Sequence, residues 1–357
     1  MKKKYTAFFI TLFIPMLAFS QIDKKVLEGL SFRNIGPAGM SGRVTSIDVD
    51  PSTNNIIYAG SASGGLWRSL NAGQSWNSIW DDQPTAGIGV VKLDPNNSDI
   101  IWVGTGEGNP RNSQSSGAGL FKSIDGGKSF KLVGLKETKH IHKIVIDPRN
   151  SDILYVAAFG VAWGETNERG VYKTINGGKT WKKILFNNKL TGAADLVMDP
   201  ANPNKLFCAM WEYKRWPWFF KSGGKGSGLY MTLDGGENWK KITENNGLPK
   251  GELGRIGIAV AKSNSKTVYA LIENKEKNGL YTSKDGGFNW SLVSEDENIG
   301  NRPFYYSDIH VDPFNENTLY SLWSIMTRSD DGGKSWRVIA PYYKIHPDHQ
   351  ALWMDPN

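Results

Sequence analysis

Apolar and polar residues alternate along this chain in short runs, and the runs recur in a fixed order of four. The first run of each set reads as an alternating strand and closes on Asp-Pro or a relative of it: TSIDVDP to Pro51, GVVKLDP to Pro95, HKIVIDP to Pro148, ADLVMDP to Pro200, GIAVAKS to Ser263 and DIHVDP to Pro313. A short Asn/Ser-rich turn leads to a second run rich in β-branched and aromatic residues: IIYAGS, IIWVGTG, ILYVAAFG, KLFCAMW, TVYALIE and TLYSLW. The third run is GLWRSL, GLFKSI, GVYKTI, GLYMTL, GLYTSK or IMTRSD, and it enters a turn whose last residue, a large aromatic, opens the fourth. A period of two over so few residues predicts strands, and no long stretch carries the 3.6-residue period of an amphipathic helix.

The turn is itself a repeat. SLNAGQSW from Ser69, SIDGGKSF from Ser123, TINGGKTW from Thr174, TLDGGENW from Thr232, SKDGGFNW from Ser283 and SDDGGKSW from Ser329 share one design. The Asp or Asn at the third position accepts hydrogen bonds from the next backbone N–H groups, and the glycines after it supply positive φ. The closing aromatic (Trp76, Phe130, Trp181, Trp239, Trp290, Trp336) is large enough to cover the gap between neighbouring sheets. A carboxylate repeated in one slot is structural rather than catalytic. Four short antiparallel strands per unit, with 46 to 58 residues between successive closing aromatics, predict an all-β propeller of four-stranded blades.

The ends suggest how the ring closes. Ser31-Phe32-Arg33-Asn34-Ile35 reads like a fourth strand with no turn before it, and QALWMDPN from Gln350 reads like a first strand. Residues 31–35 and 350–357 are therefore expected to share a split seventh blade, short of about 30 residues by the length of a propeller repeat, as in a piece of a longer protein. Residues 1–20 read as a cleaved signal peptide: Lys2 to Lys4, an apolar Tyr5–Phe19, and Ala18-Phe19-Ser20 before Gln21. Residues 21–357 would then be the exported propeller, secreted or held in the periplasm or cell envelope. No later stretch is long and apolar enough to span a bilayer. The lone Cys208 cannot form an internal disulfide and reads as a small buried apolar residue. Without the leader lysines the formal charge of +7 falls to +4, spread over the repeated turns, which speaks against a nucleic-acid partner.

Propeller connectivity puts the short repetitive turns on one face and the long irregular loops on the other, where a ligand is expected. Among those loops are residues 106–117, 159–170, 212–228, 246–255, 298–308 and 341–350. They carry Trp163, Trp211, Trp216, Trp218, Tyr305 and Tyr306, which could stack on sugar rings or pack on peptide, and Arg111, Arg169, Arg215, Arg255 and Arg302, which could grip carboxylates through two bonds. His346 and His349 are further ligand candidates, although no spacing here identifies a metal, and no cofactor is expected. The carboxylates of this face include Glu107, Glu165, Glu168, Asp195, Glu212, Glu252 and Asp308, and Glu107 with Asp348 is the acid–base pair the sequence offers first.

The segments FRNIGPAGMSGRV from Phe32, YAGSASGGLWRSLNAGQSW from Tyr58, VGTGEGNPRNS from Val103, TGAADLVMDP from Thr191 and HPDHQALWMDP from His346 resemble the secreted bacterial Asp-box (BNR-repeat) propellers, a group labelled glycosyl hydrolase or sortilin (VPS10)-like. The fold is related to that of family-74 glycoside hydrolases. Those enzymes carry a catalytic Asp in a T-D-x-G-G-x-Y-R segment, and the matching stretch here is Ser61 to Arg68, with Ala62 in the Asp position. The resemblance thus implies a propeller that recognises a carbohydrate or peptide on its loop-rich face. A glycoside hydrolase using a carboxylate pair is one alternative and a sortilin-like peptide receptor another, and enzymatic activity stays open at this point.

Overall fold

Each unit of the sequence becomes one antiparallel sheet. The computed structural model describes residues 42–357 apart from 112, 276, 277, 301, 304, 306 and 307, so the expected leader and the strand at Ser31–Ile35 lie outside the described residues. Six sheets follow one another, each ordered as the chain runs. Their first strands, Val44–Val49, Ile88–Asp94, Ile141–Ile146, Thr191–Asp199, Leu253–Val260 and Asp308–Val311, pack each against the next. This is the expected β-propeller of four-stranded blades, with first strands innermost and fourth strands at the rim.

The blade count differs from the expected seven. Six blades are present among the described residues, and Gln350–Asn357, read from sequence as a first strand, forms no strand. A strand exists only through its ladder partners, and no described segment pairs with this one. It is held instead by side chains: Asn54 donates to Asp355 at 2.6 Å, Asn357 to the Pro51 carbonyl at 2.9 Å, and Lys262 to the Pro356 carbonyl at 3.1 Å.

The apolar core is divided among the joints between blades. Tyr58, Leu66 and Trp80 of the first blade meet Val91, Ile101 and Phe121 of the second, and Phe207, Leu229 and Met231 of the fourth meet Ile256, Val268 and Ile272 of the fifth. The closing aromatics sit in these joints: Phe130, Trp181, Trp239, Trp290 and Trp336 each join the cluster shared with the preceding blade. Trp76, with no described blade ahead of its own, stays 39% exposed.

The turn chemistry is as expected. In the second blade Asp125 Oδ1 accepts the backbone N–H groups of Lys128 and Ser129, both at 3.0 Å, while the Ser123 hydroxyl accepts the N–H of Gly127 at 2.9 Å. The second glycine of the motif has a further duty. Gly127, Gly178, Gly236, Gly287 and Gly333 all have positive φ, and a Cβ at each would press on a side chain of the preceding blade: Ile79, Trp102, Ile184, Phe207 and Leu280 in turn. Tyrosines of the preceding blade also tie these turns, Tyr58 donating to the Gly126 carbonyl and Tyr155 to that of Gly235. Innermost strands are edges, so their free N–H groups need acceptors. Neighbouring blades supply them: Asp48 takes Leu93 N–H at 2.8 Å, and Asp195 takes Ile258 N–H at 2.9 Å.

Two outcomes follow from the turns. Gly287→Ala destabilises the protein by about 2 kcal/mol or more, because it strains a left-handed residue and overpacks Phe207 together, and urea unfolding reads this directly. Asp331 is held at about 2 by the hydroxyl and backbone N–H of Ser335, and Asp234 at about 2 by the backbone and side chain of Asn238. Their stabilisation is complete above the ordinary Asp range near pH 4 and is lost as pH falls through about 2, so the share of the urea midpoint that Asp331→Asn or Asp234→Asn removes shrinks over that window.

Candidate functional site

The loop-rich face holds a cavity of about 750 Å³ whose wall includes Arg43, Arg111, His346, Asp348 and His349. Arg43, just before the first blade, is set by a fork. Its Nε and Nη2 donate to the two oxygens of Glu107 at 3.0 and 2.8 Å. The Glu107 side chain is completely inaccessible, and its backbone is pinned by Gln114 Nε2 on its carbonyl at 2.6 Å and by its own N–H on Ser115 O at 3.0 Å. Burial pushes the Glu107 carboxyl up, and the Arg43 fork works against it. The expected pairing of Glu107 with Asp348 as acid and base does not fit this placement: both Glu107 oxygens face Arg43 and no solvent reaches them. Glu107 positions Arg43. Asp348 is at the cavity wall in the left-handed region, φ 74°, with Arg302 Nη1 3.8 Å from its Oδ1. His346 places Nδ1 2.9 Å from the Pro347 carbonyl, and His349 is anchored by its backbone N–H on Trp323 O.

Below the cavity a chain of polar contacts runs inward. Arg111 Nη1 lies 3.3 Å from the Tyr305 hydroxyl, which also accepts from Gln350 Nε2 at 2.9 Å. Gln350 Oε1 accepts from Asn109, and Asn109 Oδ1 accepts from Arg255 Nη2 at 2.7 Å. Arg255 is buried and spends Nη1 on the Tyr305 carbonyl at 2.8 Å. Beyond it the innermost strands bring together His142, Lys143, Asp195, Asp308 and His310. Lys143 lies 3.7 Å from Asp195, and 32% of its side chain is accessible. Burial alone would raise the Asp308 carboxyl, but Lys143, Arg255 and the two histidines outweigh it and hold it below the usual range. Burial lowers His310 to about 4, so this histidine is neutral near pH 7.

On the opposite side of the same face the fourth blade carries an arm. Its second strand runs 15 residues, Asn202–Trp216, and the last four pair with Phe219–Ser222. Trp218, at the two-residue tip, is 83% exposed and Phe219 59%, while Trp216 is half-buried with Lys214 Nζ 4.9 Å from its ring. The base of the arm is rigid: Trp211 stacks on Tyr213 with centroids 4.6 Å apart, and Trp211 Nε1 donates to Ser222.

The remaining candidates divide by burial. Arg169 is buried, with its guanidinium donating to the carbonyls of Phe159, Val161, Gly164 and Leu190, so it orders the loop rather than facing a ligand. Trp211 and Arg255 likewise form the floor beneath the face. Arg215 lies over the Phe220 ring at 4.7 Å, and Trp163 is exposed. Tyr306 lies outside the described residues. Arg43, Lys143 and His310 carry no signal in the sequence because each stands beside or within a strand, where alternation marks faces but not what they enclose; His142, which with His140 reads from sequence as a possible metal-ligand pair in a loop, lies in the strand Ile141–Ile146. The arm was read as loop, yet the strand-forming stretch of Tyr213 to Trp216, the Pro217-Trp218 turn and the Phe219-Phe220 pair were its signal. Among the described residues no group of three or more His, Cys, Asp or Glu is placed to hold a metal.

Comparison with known proteins agrees with this architecture. The model of the Sortilin-Vps10 family (sortilin, neurotensin receptor 3) matches residues 118–279. A xyloglucanase of a Paenibacillus species is 24% identical over 358 residues, covering 87% of this chain and 32% of the relative. The chain therefore spans about a third of that relative's length. Among solved structures, a GH74 xyloglucanase from Xanthomonas campestris superposes with a TM-score of 0.54 at 16% identity, covering 87% of this chain and 55% of the other. YCF48 from Cyanidioschyzon merolae superposes with a TM-score of 0.54 at 15% identity, covering 85% and 87%.

Arg255→Leu leaves Asn109 Oδ1 and the Tyr305 carbonyl without their donor. It is expected to cost about 2–4 kcal/mol in urea unfolding, whereas Trp218→Ala at the exposed tip changes the midpoint little.

Proposed function

We propose that this β-propeller, related to the family-74 xyloglucanases and to sortilin-like folds, is the glycan-engaging part of an exported glycoside hydrolase. The observation that carries the reading is the cavity on the loop-rich face, where two arginines, two histidines and a carboxylate converge on a space of about 750 Å³, ample for a sugar unit. The xyloglucanase relatives support it. The first-blade carboxylate of those enzymes has no counterpart here: Ala62 is fully buried, and its backbone N–H is bonded to Arg43 O. Proton transfer in this cavity therefore falls to Asp348, which Arg302 faces and which meets the cavity directly. The arm of the fourth blade adds Trp218 and Phe219 as platforms for a longer chain.

A second reading takes an extended peptide into the central channel, and the charged lining of Lys143, Asp195 and Asp308 favours it. The two readings separate in one experiment. Oligosaccharide hydrolysis and binding are measured on the secreted protein beside Asp348→Asn and Trp218→Ala. The glycosidase reading expects Asp348→Asn to lower kcat at least about 100-fold and Trp218→Ala to raise KM for long substrates with kcat unchanged. Glycan turnover equal in all three proteins would remove both residues from the mechanism, and peptide binding lost on Lys143→Ala with no glycan bound would favour the channel.

A further inference from the structure

We infer that the cavity selects a carboxylate-bearing sugar, a uronic acid unit, rather than a neutral one; this rests on the glycan reading above. The argument is a balance of charge at the cavity wall. Arg43 has its counter-ion in the buried Glu107 at 2.8 Å, and Arg302 has one in Asp348 at 3.8 Å. Arg111 has none: among the described residues it makes no ion pair, and the acceptor at its Nη1 is the neutral Tyr305 hydroxyl at 3.3 Å. Arg111 also acts electrostatically on Glu107, whose two oxygens are already committed to Arg43.

The uncompensated guanidinium is also held in place. Arg111 lies 5.9 Å from the centroid of the Tyr305 ring, and that tyrosine is buried and fixed by Gln350 and by Arg255 through its carbonyl. The same cavity wall adds Arg43, oriented by its fork, and the two imidazoles of His346 and His349. A planar guanidinium presents paired N–H groups that match the two oxygens of a carboxylate, and a second guanidinium steadies the same charge. A neutral sugar would leave that charge unanswered in a partly enclosed space, where an unpaired charge is costly. Asp348 bears on the geometry as well: its left-handed backbone, unusual for a residue other than glycine, turns the 346–350 loop across the cavity wall.

The test uses one sugar with and without its charge. Calorimetric titration compares a galacturonate oligomer, the same oligomer as its methyl ester, and a neutral xyloglucan oligosaccharide against the secreted protein, Arg111→Gln and Arg111→Lys. The acid form is expected to bind at least about tenfold more tightly than its ester. Arg111→Gln removes that preference so that acid and ester bind alike, Arg111→Lys restores only part of it, and added salt weakens the acid form more than the ester. Melting curves confirm that both variants are folded. Equal binding of acid and ester, or a preference that survives Arg111→Gln, overturns the inference. Tight binding of the xyloglucan oligosaccharide alone overturns it while leaving the glycan reading in place, and absence of binding by all three sugars overturns both.

Discussion

The close approach of one glycine to the blade before it is the constraint on which this molecule depends. In five of the six repeated turns the second glycine lies where a Cβ would collide with a side chain of the preceding blade, and the aromatic three residues later fills the joint beside it. The turn thus does two jobs at once. Its hydroxyl and carboxylate fold the backbone into a left-handed corner, and that corner is narrow enough to let two sheets meet at packing distance. Everything on the far face inherits its position from these joints, because the innermost strands that present the channel are aligned by them.

That dependence explains what the sequence made legible. Six copies of the turn, with three alternating runs before each, define six sheets, and the structure has those six. The seventh blade was inferred from half-motifs at the two ends, and a half-motif carries strand character without a partner. Gln350–Asn357 has the composition of a first strand but no ladder among the described residues, so it finds isolated contacts on the first and fifth blades instead.

The candidate site was legible in residue types and not in their company. Arg111, Asp348, His346 and His349 do share one cavity. Glu107, chosen as a catalytic acid because it stood in a long loop, is sealed beneath Arg43, and nothing in a linear sequence distinguishes a loop carboxylate that faces solvent from one that faces a guanidinium 64 residues away. Arg169 and Arg255 show the same limit. An arginine in a long loop looks available, yet the loop itself must satisfy its carbonyls, and a buried guanidinium with several donors does so economically.

Because every joint keeps its own small core, the six blades are built like the segments of a vertebral column, each packed on the one before it. Each sheet is registered by the blade beside it, while side chains such as Arg255 and Arg111 reach to more distant ones. The fourth blade displays the outcome: its second strand outgrew the sheet and folded back as an aromatic-tipped arm, while the strands on either side kept the register of every other blade. An architecture of this kind lets one face be rewritten a loop at a time, so that relatives with the same skeleton can drift to different ligands without ever passing through an unfolded ancestor.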